Sequence, residues 1–111
     1  MYYHQPKNTY ISMLKSSLND SGWINLNDKI KYRKKNGAVT VIGVSLSVGT
    51  IFELQGTLPE GFRPSSASYY SGSCGTYSAK SFFVHISDNG NIRTQTDVSY
   101  ENATFTAIFF V

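Results

Sequence analysis

Two short stretches hold the residues whose types could grip a ligand. Tyr69, Tyr70 and Tyr77 flank a Ser- and Gly-rich segment, Ser71-Gly72-Ser73-Cys74-Gly75-Thr76. His85, Asp88, Asn89, Asn91 and Arg93 lie on or beside a second segment that turns at Asn89-Gly90. Tyrosine offers a flat apolar face, a polar tip and only two side-chain torsions to restrict on binding. Amides, a carboxylate and a guanidinium add acceptors and donors. An apolar ring face beside such groups is what recognition of a sugar needs. The candidate ligand-binding set is therefore Tyr69, Tyr70, Tyr77, His85, Asp88, Asn91 and Arg93. The competing reading is interface packing for each tyrosine, and a strand histidine with satisfied hydrogen bonds for His85.

Catalytic chemistry finds less support. The sequence has no CxxC, no HExxH and no pair of close histidines to hold zinc. The phosphate-binding patterns GxxxxGK[ST] and GxGxxG are absent, as is the GxSxG elbow of serine hydrolases. Cys74 with His85 would be a nucleophile and base, yet a lone loop cysteine is inert unless its surroundings favour the thiolate. Asp20, Asp28, Glu53, Glu60, Asp88, Asp97 and Glu101 are the carboxylates available for glycoside cleavage, and their spacing pairs no two of them. The expectation is a binding protein and not an enzyme, with no cofactor and no metal.

These residues need elements to position them. A chain of 111 residues suits one domain. Only 15% of it is charged, against a typical quarter, so its surface relies on hydroxyls and amides. The net charge of +3 would favour approach to an anionic surface such as a cell wall and is too small to imply nucleic acid. A single cysteine excludes an internal disulfide framework. No stretch approaches the ~20 apolar residues of a membrane-spanning helix. The polar, aromatic start Tyr2-Tyr3-His4-Gln5 has no signal-peptide pattern, so a protein acting outside the cell would leave as part of a particle.

Ile11, Leu14 and Leu18 recur at helical spacing, which predicts either the end of a trimeric stalk or a short packed helix or arm over residues 1–21. Strand signals follow almost without pause. Trp23 to Leu26 alternates, with Trp23 either a sugar platform or packing. Lys29, Lys31, Arg33 and Lys35 share one face of the next strand, as a nucleic-acid surface or as a solvated face that discourages edge pairing. Asn36-Gly37 predicts a type I′ hairpin turn. Simple alternation from Ala38 to Val48 puts Thr40, Ile42, Val44, Leu46 and Val48 on one face, and Val39 and Val41 on the other. Apolar residues on both faces suggest burial by the domain and by a neighbouring subunit. Further strands are expected at Ile51–Leu54, Ala67–Tyr70, Lys80–Ile86, Ile92–Thr96 and Phe105–Val111, with exposed loops at Ser71–Thr76 and Asp97–Ala103.

Between the halves lies Gly56-Thr57-Leu58-Pro59-Glu60-Gly61-Phe62-Arg63-Pro64, with two of the three prolines. Fixed φ at Pro59 and Pro64 makes it a rigid crossover, and Leu58 and Phe62 suggest that it packs back onto the sheet. The order of the Tyr32-Arg33-Lys34-Lys35-Asn36-Gly37-Ala38-Val39 hairpin, this crossover and the Ile86-Ser87-Asp88-Asn89-Gly90-Asn91-Ile92 turn resembles the C-terminal head domains of tail-fibre and baseplate receptor-binding proteins of tailed bacteriophages and prophages. The similarity runs from about Gly22 to Val111. The resemblance implies an all-β, antiparallel β-sandwich of jelly-roll-like form over residues 22–111. It also implies a homotrimer at the tail tip of a virion, bound to other tail or baseplate proteins through the N-terminus and to a host cell-wall saccharide through the head. Nucleic acid and membrane insertion are not expected. The alternative is a structural module that trimerises and caps a fibre.

Overall fold

The computed structural model describes residues 19–74 and 80–111. The expected helix or arm over residues 1–21 lies almost wholly outside the described residues, as does Tyr77. Eight antiparallel strands make up the described chain, with no helix among them. They are β1 (Ile24–Asn25), β2 (Ile30–Lys35), β3 (Ala38–Val48), β4 (Glu53–Thr57), β5 (Ser68–Ser73), β6 (Ser81–Ile86), β7 (Asn91–Gln95) and β8 (Tyr100–Phe110).

Their hydrogen-bonded order is β1-β2-β3-β8-β5-β6-β7-β4, one continuous sheet. The sheet curls into a half-barrel with its apolar face inside. The all-β, antiparallel fold expected from the sequence is present, as a single curled sheet. The physical reason is β8. Its eleven residues pair with β3 along one edge and touch β5 through Ser73 and Thr104 on the other. The two halves are thus joined through one shared strand. Gly72 makes this junction possible, because a Cβ there would lie 2.6 Å from the Thr104 carbonyl oxygen and closer still to the Phe82 ring. Where β5 and β8 diverge, the Tyr70 hydroxyl donates to the Ile108 carbonyl at 3.1 Å.

The core fills the concave side. Val39, Val41, Phe105 and Ala107 come from one half; Phe82, Val84, Ile86 and Ile92 come from the other. Phe82 and Phe105 meet edge to face at 6.4 Å. The Asn36-Gly37 turn has positive φ at both residues (51° and 82°), as a two-residue type I′ hairpin requires. The crossover does pack back: Leu58 is fully buried, and Phe62 stands edge-on to Tyr32 at 4.9 Å. Its first two residues, Gly56 and Thr57, already belong to β4. Residues 19–21 join the sheet too, since Ser21 N–H donates to the Lys34 carbonyl at 2.8 Å and Asp20 bridges to Lys35.

Simple alternation fails in β3. Leu46 and Val48 are buried on the same side as Val39 and Val41, whereas Val44 and Ser45 are both exposed. The two residues between Gly43 and Leu46 on β3 face the single residue between Phe105 and Ala103 on β8. That extra residue is a β-bulge, with Ser45 at φ 55°. A second bulge in β8, with Asn102 at φ 58°, restores the register between Val48 and Tyr100. The bulges turn apolar residues inward that alternation placed outward. The strand also begins earlier than the sequence suggests, because Tyr100 and Ala103 pair with β3 inside the expected polar loop.

Candidate functional site

The convex face of β5, β6, β7 and β4 follows from the burial of alternate residues. Phe82, Val84, Ile86, Ile92 and Thr94 point inward, so Phe83, His85, Arg93 and Gln95 point outward. Strand register then aligns four side chains in a row. Tyr69 lies opposite His85, His85 opposite Arg93, and Arg93 opposite Leu54. The next row is Ser71, Phe83 and Gln95. Cross-strand neighbours on one face are close enough to interact directly.

The rings cluster. Tyr69 is 4.9 Å from His85 and 5.6 Å from Phe83, centroid to centroid. Phe52, just before β4, lies 5.6 Å from His85 and 6.3 Å from Phe83. The Arg93 guanidinium sits 5.7 Å from the Phe52 ring, in cation–π range. Tyr69 is 64% exposed, and Phe52 and Phe83 are each 39% exposed, so this is a surface and not a core. His85 Nδ1 is buried with no hydrogen-bond partner among the described residues. A buried ring nitrogen without a partner costs stability, and such an exception calls for an explanation.

The structure places three of the sequence-derived candidates, Tyr69, His85 and Arg93, side by side. Asn91 is on the same face one row further along β7, where its Oδ1 accepts from Thr57 Oγ1 at 2.8 Å. Asp88 is exposed at the tip of the β6–β7 turn. Tyr70 is on the opposite face from Tyr69, half-buried against the core and bonded to β8. Sequence reasoning omitted Phe83, Phe52 and Leu54. Phe83 was legible, since alternation puts it with His85. Phe52 and Leu54 were not, because only the order β5-β6-β7-β4 brings them in.

A hollow of about 430 Å³ adjoins Phe83, lined also by Ser71, Lys80, Gln95 and Asp97. Gln95 Nε2 donates to the Thr50 carbonyl at 2.9 Å, which fixes the amide beside it. Cys74 differs from its expected exposed-loop position. It is buried at the end of β5, and that burial pushes its thiol pKa up, away from the nucleophilic thiolate. Among the described residues no three His, Cys, Asp or Glu side chains converge as metal ligands.

The other half has a different convex face. Its outward residues include Trp23, Lys31, Arg33, Ile42, Val44, Ile108 and Phe110, with Ile108 57% exposed. Lys31 Nζ lies 5.0 Å from the Trp23 ring, which occupies the indole with a lysine. Arg33 is committed to Asp20 through Nε–Oδ1 (2.8 Å) and a second, short contact. That hydrogen bond, with one from the Gly22 N–H, holds the Asp20 carboxyl well below the usual range.

Compared with known proteins, the chain matches no family and no curated protein.

Proposed function

We propose that this chain is the head of a receptor-binding protein from the tail fibre or baseplate of a tailed phage or prophage, holding a host-surface saccharide without chemistry. The observation that supports this most is the convex row of Tyr69, His85 and Arg93, widened by Phe52 and Phe83. It offers an exposed apolar platform with donors on its edge. Sugars expose apolar ring faces and hydroxyl rims, and such a platform matches both. In this reading the half-barrel serves as the sandwich-like head, carried at the virion's tail tip and joined to other tail proteins through the N-terminus. Three copies would turn weak single-site binding into avidity.

A second reading has its own support. Ile108 and Phe110 on β8, beside Ile42 and Val44 on β3, leave an exposed apolar strip on the other convex face. That strip suits self-association, and the chain could serve only to trimerise and cap a fibre. A glycan array separates the readings. Retention of a saccharide that is lost on Tyr69→Ala supports the receptor-binding head; a folded protein that retains none supports the capping module.

A further inference from the structure

We infer that the site takes a linear oligosaccharide laid along β6 and β7, with the hollow beside Lys80 holding a second sugar beyond the aromatic row. This rests on the saccharide-binding reading above and adds ligand length and direction to it.

The geometry is elongated along the strands. Asn91, Arg93 and Gln95 are successive outward residues of β7, and His85 and Phe83 run beside them on β6. At ~3.3 Å per residue, Asn91 to Gln95 spans about 13 Å, longer than one sugar ring. The aromatic surface fills only the middle. Polar groups stand at both ends: Thr57 and Asn91 at one, Ser71, Lys80, Gln95 and Asp97 at the other.

The ends differ in what they leave free. Thr57 and Asn91 bond to each other, so that end is largely self-satisfied. At the far end, Gln95 spends its amide N–H on Thr50, which leaves its carbonyl oxygen as an acceptor. Lys80 and Asp97 add a donor and an acceptor around this open hollow. Phe83 belongs both to the ring cluster and to the hollow's wall, so it joins the two subsites. A ligand stacked on Tyr69 and Phe83 reaches the hollow only if it continues past one ring.

The test uses the full chain on an array of linear oligosaccharides graded from one to six sugars. Apparent affinity should rise by at least about tenfold from one sugar to two and then level off, as the two subsites fill. Lys80→Ala should remove most of that rise. Its side chain is exposed, and the backbone bond from Cys74 N–H to the Lys80 carbonyl does not depend on it, so the variant should fold. Tyr69→Ala should weaken every length. Equal affinity for one and two sugars, or a Lys80→Ala variant with the wild-type length profile, would overturn the inference while the binding reading stands. No retention at any length would overturn that reading and this inference together.

Discussion

The two convex faces of the half-barrel come from the same strand alternation but present different chemistry. On β5, β6, β7 and β4, outward positions carry Tyr69, Phe83, His85 and Arg93, with Phe52 leaning over them. On β1, β2, β3 and β8, they carry Ile42, Val44 and Ile108, with Trp23 and Phe110 at the margins, and a row of cations. Rings with polar tips can satisfy a ligand that is part apolar and part hydroxylated. Aliphatic side chains offer only area, which a second copy of the chain can cover. Two cations on the second face are already engaged: Lys31 at Trp23 and Arg33 at Asp20. The difference teaches that exposure alone does not mark a site. What matters is whether the exposed groups have unspent directional capacity.

The strongest way to break the comparison is to remove the junction on which both faces depend. Gly72→Val would drive a branched side chain into Phe82 and the β8 backbone. The expected loss is about 3 kcal/mol, as in severe overpacking. Chemical denaturation should show it, and an unchanged midpoint would mean that β5 and β8 do not meet as described.

Charging the apolar strip should act on assembly alone. Ile108→Glu is expected to yield a monomer by light scattering and to lower adsorption to multivalent surfaces by roughly a hundredfold through lost avidity. Binding of a soluble monovalent glycan should not change. A wild-type protein that is itself monomeric would remove the assembly role from this face.

Adjacent tyrosines give the sharpest contrast. Tyr70→Ala deletes a half-buried ring and its bond to Ile108, so it should cost about 2 kcal/mol of stability. Tyr69→Ala should leave the melting temperature unchanged and weaken glycan binding by about 1–2 kcal/mol. If both variants lose stability equally, the row containing Tyr69 is packing and not a site.

The smallest effect belongs to Asp20. Its pKa is depressed in the folded state, so the unfolded chain binds the proton more readily. The associated stabilisation is present above the ordinary carboxylate range near pH ~4 and is lost only as pH falls through the lower folded value. Because the pair is solvent-screened, the loss should be slight. Asp20→Asn should flatten the acid limb of a stability–pH curve below pH ~4. An identical limb in the variant would show that the Arg33 contact does not persist in solution.

The sequence by itself determined the local features. Asn36-Gly37 could close only one kind of tight turn, because two consecutive positive φ angles exclude most other pairs. The period-two pattern of Lys80–Ile86 placed Phe83 and His85 together, since strand geometry alone sets that face. Leu58 and Phe62 were legible as anchors because apolar residues in a proline-stiffened crossover have few places to go but the core. Tertiary structure decided the rest. Which strand neighbours which is settled by contacts distant in sequence, so the union of Tyr69, His85, Arg93 and Phe52 could not be read from spacing. The bulges at Ser45 and Asn102 turned Leu46 and Val48 inward, a choice governed by fit between β3 and β8 and not by either sequence alone. Whether the sheet splits into two layers or stays one depended on β8 reaching both halves, and on a glycine at residue 72 that lets the β8 backbone approach.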